Sequence, residues 1–443
     1  MGVNNRQRRA AKQRKRNANR SSGAGRPGSP HEPFGWSLSD EPGPARTGPS
    51  GAERRGALAE HVRMILFAIE ARPASSRRFA EGLVGAEAAF DRELASDVVA
   101  TVLTSLTAEV VATGWSPGDL GQVARRRLAE RHVPVLAGLL VSLAGRHPAE
   151  RVAASWQAEL ADLGRTDRLD TVTTDGMEVA LGLAAVMSVL PTIARVVPPP
   201  GAAPRTADRR TGDHRQQLSK VRALLAKAES TQFAEEAEAL SAKAQELISR
   251  YALDHLLDEP DEAGNGDDDV RARRLWIDAP YVLPKALLID AVARANRCSA
   301  VVAEKLGFST VIGAPYDLEA VELLATSLLV QANRAMLGHG SQVGWGGTSR
   351  TTAFRRSFLV AYATRIGERL TTATDDAATG TGRLRELVPV LREHAERVAA
   401  AQAEMFPRTA ELSARVSDAQ GWTLGRAAAD LARLDVRPAV TNA

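Results

Sequence analysis

Apolar residues recur at helical spacing from about residue 53 onward. His61, Met64, Ile65, Ala68 and Ile69 fall on one face at i, i+3, i+4 and i+7 intervals. From Arg77 to Thr113 the same period carries Phe79, Leu83, Phe90, Leu94, Val98, Val102 and Leu106, with Gly82 and Gly85 placed to interrupt it. Ser116-Pro117-Gly118-Asp119 has the make-up of a helix start. A serine hydroxyl can accept from first-turn amides, proline suits the first helical position, and Asp119 stands where a capping box needs its acid. Val133 to Leu143, Pro148 to Leu163 and Met177 to Val196 predict further helices, the last bent at Pro191. Residues 53–196 read as one all-helical domain.

The pattern then changes. Residues 197–215 open on three consecutive prolines, which favour an extended, semi-rigid linker. Over 216–258 the spacing predicts a helical hairpin. Val221, Leu224, Leu225 and Ala228 stripe its first arm; Ala237, Leu240, Ala244, Leu247, Ile248 and Tyr251 stripe its second. An acidic linker follows at 259–270. Residues 271–375 alternate in type: a strand at Arg271–Asp278, a helix at Pro284–Asn296, then strands Cys298–Ala303 and Phe308–Ile312 joined by a turn at Lys305-Leu306-Gly307. A long helix from Asp317 to about Leu337, a Gly/Ser-rich loop over 338–349 and a helix from Thr352 complete this small α/β module. Residues 376–443 predict a helical tail broken at Pro407 and near Gly421. The fold class expected is mainly α with a small α/β (α+β) module built on a short three-stranded sheet.

The hairpin carries a resemblance. Lys220-Val-Arg-Ala-Leu-Leu-Ala-Lys-Ala-Glu-Ser230, then Glu236-Ala-Glu-Ala239 and Lys243-Ala-Gln-Glu-Leu247 up to Tyr251, resembles the bacterial and phage domain of unknown function DUF2786. Members often continue into a small α/β module of equally unknown role, which 271–375 matches in position. The resemblance implies no activity, cofactor or catalytic residue. Phe233 stands in a turn where the family is usually polar.

Composition narrows the classes. At 443 residues there is room for about two to four domains. Apolar content of 44% with 25% charged residues is that of a globular chain. One cysteine, Cys298, excludes an internal disulfide framework and a cysteine-based zinc site. No uninterrupted apolar run reaches the ~18 residues of a membrane span, and the leading residues lack a secretory core, so a reducing cytoplasm is the expected location.

Charge is unevenly placed. The net charge is +4, yet Arg6, Arg8, Arg9, Lys12, Arg14, Lys15, Arg16 and Arg20 stand within the first twenty residues without an acid, which leaves −4 for the remainder. Residues 1–52, basic and then rich in Gly, Pro and Ser, read as a disordered arm and linker. Such an arm suits nucleic acid or a ribonucleoprotein, through salt-dependent and sequence-independent phosphate contacts. It has nothing apolar to insert in a membrane.

Other candidates are thinner. Trp115 to Leu143 could pass for a helix–turn–helix with Arg125, Arg126 and Arg127 toward phosphate, although such a triplet is commonly a solvated face. Loop 338–349 with Ser349, Arg350, Arg355 and Arg356 is a candidate anion site, since a glycine-rich loop entering a helix can present free amides. It lacks the lysine of a phosphate loop, and a simple connector explains it as well. Glu319 and Glu322 are placed for acid–base work or for the helix dipole. His147 with Glu150, and His255 with Asp258, each fall short of the three ligands a metal needs. No catalytic residue, metal or cofactor is expected. A non-enzymatic nucleic-acid-binding protein leads; a hydrolase or phosphate-ligand enzyme in 271–375 and a helical scaffold for protein partners are the alternatives.

Overall fold

The computed structural model describes residues 50–202 and 270–432, apart from 89, 345–346, 381–383 and 412–413. The basic residues of the arm and the hairpin over 216–258 lie outside the described residues. The protein is mainly α, with one three-stranded antiparallel sheet. Among the described residues seven α-helices precede the sheet: α1 (Gly51–Ala71), α2 (Ser76–Val84), α3 (Arg92–Ala112), α4 (Pro117–Arg127), α5 (His132–Ala144), α6 (Ala154–Asp162) and α7 (Thr174–Ser188). Around and after it come β1 (Arg271–Trp276), α8 (Val282–Ala295), β2 (Ser299–Ala303), β3 (Phe308–Gly313), α9 (Pro315–Gly338), α10 (Thr351–Gly380), α11 (Leu384–Met405) and α12 (Ala419–Asp430).

Local chemistry sets several of these boundaries. Ser116 and Asp119 form the predicted capping box, each side chain taking the other's backbone amide, with Pro117 at the first helical position. Asp91 caps α3 by accepting from the Leu94 amide at 2.8 Å, and Asp418 caps α12 by accepting from Gly421 at 2.8 Å. The periodic stretch from Arg77 to Thr113 is interrupted at Gly85, one of the two glycines placed to do so: Gly85 leaves the helical conformation and Asp91 starts a new cap.

Two expectations need correction. The helix predicted to run from Met177 to Val196 stops at Ser188. The residue before proline disfavours helix, and the segment instead lies across the domain: the Trp115 indole donates to the Pro191 carbonyl at 2.9 Å, and the Ile193 amide to Thr113 at 3.0 Å. Gly114 (φ +108°) permits that crossing, because a Cβ there would strike the Ile193 carbonyl. Nor does the chain break at Gly421, which sits inside the first turn of α12. There its missing Cβ makes room for the Phe354 carbonyl, as Gly425 does for that of Phe358. The other tail prediction matches, since α11 ends at Met405, ahead of Pro407.

Helix α3 is long and apolar enough, by length and mean hydropathy, to cross a membrane, although no single apolar run signalled it. Its exposed positions Asp97, Thr101, Ser105 and Glu109 repeat every fourth residue, while Ala95, Val98, Val99, Leu103, Val110 and Val111 are buried. That is the two-faced pattern of a helix packed on a core.

The sheet runs β1-β3-β2, with Trp276 opposite Phe308 and Ala303 opposite Phe308 in the two registers. Gly307 (φ +81°) turns the β2–β3 hairpin. Every residue of β3 is buried, which an antiparallel strand achieves only when both sheet faces are covered. Leu275, Val311, Ala300 and Val302 pack with α8, α9 and α10. Phe308, Trp276 and Ala303 face the other way and join the core of the α1–α7 helices. The helical region and the α/β region, separated in sequence by the linkers, therefore press on opposite faces of one small sheet.

Candidate functional site

The glycine-rich loop enters α10 through a closed set of backbone bonds. Val343 and Ser349 form a bridge, Gly344 donates to Thr348 at 2.7 Å, and Arg350 donates to the Gln342 carbonyl at 2.9 Å. The Gln342 amide donates to the Thr351 hydroxyl at 3.0 Å. Amides used this way are not aimed at an anion. Arg350, one of the four predicted anion-binding residues, is committed as well: its Nε and Nη2 donate to Asp418 at 3.0 and 2.8 Å. Burial alone would raise the Asp418 carboxyl. The Gly421 amide and the Arg350 guanidinium outweigh it and hold the acid below its ordinary value. Ser349 is exposed, with its hydroxyl 3.5 Å from that of Thr351. Arg355 and Arg356 are half-buried, and the Nε of each is shielded without a hydrogen-bond partner among the described residues. The structure thus turns Arg350 into a tie between the loop and α12.

A second polar cluster lies where β1 meets the helical region. The Asp119 carboxylate that closes the α4 capping box also receives Arg274 of β1 and the Trp276 indole at 3.3 Å. Both ionic side chains are nearly sealed, at 4% and 3% exposure. The other end of Arg274 donates to the Ala194 carbonyl, in the crossing segment that ends the helical region, and its guanidinium lies 5.2 Å from the Phe308 ring centroid. Desolvation lowers the Arg274 pKa against the pull of Asp119. Nearby Glu159 accepts from the Gly118 amide at 2.8 Å; burial, the largest influence on it, raises its carboxyl.

A third cluster sits at the start of β2. Arg297 donates to Asp317 through Nε at 3.2 Å and through Nη2, and buried His394 of α11 lies with Nε2 4.0 Å from Asp317. Burial, aided by Arg297 and Arg397, holds the His394 imidazole below its usual range. Cys298 beside it is buried and packs against Gly313. Burial pushes its thiol well up, so it carries no thiolate near neutral pH and is no activated nucleophile.

Of the remaining candidates, Glu322, Arg126 and Arg125 meet partners within the chain, while His255 and Asp258 lie outside the described residues. Glu322 receives Arg273 across from β1. Within the arginine triplet, Arg126 donates to the Ile277 carbonyl at 3.0 Å and to Asp278 at 2.7 Å, and it stacks 5.1 Å over the Trp276 ring. Arg125 pairs with Glu130 at 3.7 Å. Among the described residues no group of three His, Cys, Asp or Glu side chains could hold a metal ion. Sequence reading missed the Asp119–Arg274 pair because each residue already had a sufficient local explanation, as a cap and as one of three arginines in β1. A cation carried inside a strand was the available signal, since a buried one must find a partner.

A family model described as a protein of unknown function, DUF2786, matches residues 217–255. Those are the hairpin residues that carried the resemblance. No curated protein and no solved structure matches the chain.

Proposed function

We propose that this is a non-catalytic binding protein that engages a nucleic acid or nucleoprotein through Arg6, Arg8, Arg9, Lys12, Arg14, Lys15, Arg16 and Arg20. The observation that carries the reading is the segregation of eight cations from a remainder whose net charge is −4. The pairing of arginines within the folded body supports it. Arg77 lies against Asp175 at 2.9 Å, Arg274 against Asp119, Arg350 against Asp418, and Arg426 against Glu368 at 2.9 Å. Cations neutralised in place release few counterions from a polyanion; a cluster without acids releases many.

The test is an electrophoretic shift on duplex DNA and on RNA, comparing the full chain with a chain whose eight leading cations are replaced by glutamine. If about six of them contact phosphate, affinity of the full chain falls about a thousandfold between 50 and 200 mM salt. The substituted chain binds weakly, with a flattened salt dependence. Equal affinity and equal salt slope for both chains defeats the proposal.

A further inference from the structure

The α9, α10 and α12 helices border a partly open cavity of about 770 Å³ that none of the clusters above explains. Its aliphatic lining is Val330 and Ala335 from α9 with Leu424, Ala428 and Leu431 on or just beyond α12. Thr326, Ser327, Gln331 and His339 add polar groups on the α9 side. The glycine contacts that draw α12 onto the Phe354 and Phe358 carbonyls bring these surfaces together. At its floor lies Tyr362, 1% exposed. The Tyr362 hydroxyl is shielded and has no hydrogen-bond partner among the described residues. A buried hydroxyl is ordinarily satisfied, so this one points to a group that is brought in. Desolvation raises the phenol, which keeps it protonated as a donor. Arg334 is exposed, and among the described residues that line the cavity it alone has a fixed charge, with no acid beside it. Val330 and Leu431 are exposed at 59% and 84%, which leaves the approach apolar too.

We infer that this cavity is a binding site for an amphiphilic carboxylate with an oxygen at the far end of its apolar body. The carboxylate sits at the rim on Arg334, the chain lies along the aliphatic walls, and the terminal oxygen accepts from the Tyr362 hydroxyl. Cavity size and character are those of small-molecule sites, apolar with a few placed polar groups. Arginine suits a carboxylate because its fork matches both oxygens.

The experiment is calorimetric titration of the full chain with ω-hydroxy carboxylates of about eight to sixteen carbons, the range a cavity of this size accommodates. The matching unsubstituted carboxylates and ω-hydroxy methyl esters are run in parallel. The ω-hydroxy acid of best length binds about tenfold tighter than either relative. Tyr362→Phe removes the preference for the terminal hydroxyl and keeps the preference for the charge. Arg334→Gln does the reverse. Ala335→Phe, which fills the space, abolishes binding, and circular dichroism of each variant confirms the retained fold. No binding up to about 1 mM overturns the inference. So does binding that all three substitutions leave unchanged, which places the ligand elsewhere.

Discussion

Severing the Asp119–Arg274 pair tests whether the sheet is clamped to the helical region as described. Losing one partner of a sealed ion pair strands the other charge, at about 3–5 kcal/mol. The two ends are not equivalent. Asp119→Ala also opens the capping box, worth about 1 kcal/mol, and leaves the Arg274 guanidinium with the Ala194 carbonyl and the Phe308 face. That variant is expected to lose about 5 kcal/mol. Arg274→Met leaves a carboxylate that still accepts from the Ser116 amide at 3.2 Å, the Ser116 hydroxyl at 2.9 Å and the Trp276 indole at 3.3 Å. Three remaining donors reduce the penalty to about 2–3 kcal/mol.

The double variant removes both charges together, so it is expected to cost about 3 kcal/mol less than the sum of the singles. Urea titration followed by tryptophan fluorescence measures all four corners of the cycle, since Trp115 and Trp156 are buried in the helical region and Trp276 lies at the contact. Single losses that add to within about 0.5 kcal/mol of the double would refute the coupling. A larger loss for Arg274→Met than for Asp119→Ala would refute the assigned asymmetry.

Two other perturbations read separate parts of the fold. Glu159 has a carboxyl raised chiefly by burial, so the folded state holds its proton more tightly than the unfolded chain. Its ionisation therefore costs stability as pH rises through the folded pKa, and that cost is absent below the unfolded value of 4.5. Glu159→Gln, which can still accept from the Gly118 amide, should gain on the parent protein at pH 7 and lose that advantage toward pH 4.5; urea midpoints at the two pH values measure it. Gly425→Ala pushes a methyl into the Phe358 carbonyl where α12 crosses α10, and overpacking of this kind costs about 1–3 kcal/mol. A thermal melt of Gly425→Ala that matches the parent protein would contradict the close crossing.

Much of the helical architecture was legible because the signals are local. The Ser116–Asp119 capping box, the proline at the start of α4 and the Gly307 hairpin turn each act within a few residues, and each appears where the pattern put it. The failures come from long-range contacts. The segment after Ser188 reads as helix by its apolar content, yet its backbone is taken up by Trp115 and Thr113, some eighty residues away. Gly421 reads as a break by composition, yet a neighbouring helix needs the space of its absent side chain. Apolar periodicity reports that a face is buried, not which element buries it.

The same distinction governs the sites. In a chain this rich in arginine, a cluster such as Arg125–Arg127 or Arg350–Arg356 looks like a binding surface until the acids that meet it are known. Those acids are remote: Asp278 for Arg126 and Asp418 for Arg350. Each pairing turns a presumed anion receptor into an internal strut, and the strut joins elements that the sequence had kept apart. Two features stand outside these pairings, for different reasons. The first twenty residues contain no acid, so no neighbour within the cluster can neutralise it. At the α9–α12 cavity, among the described residues, Arg334 shares the wall with no acid and the hydroxyl of Tyr362 has no hydrogen-bond partner. Polar groups that the fold does not spend on itself are the ones open to an external ligand, and the leading cations and the Tyr362 cavity meet that criterion.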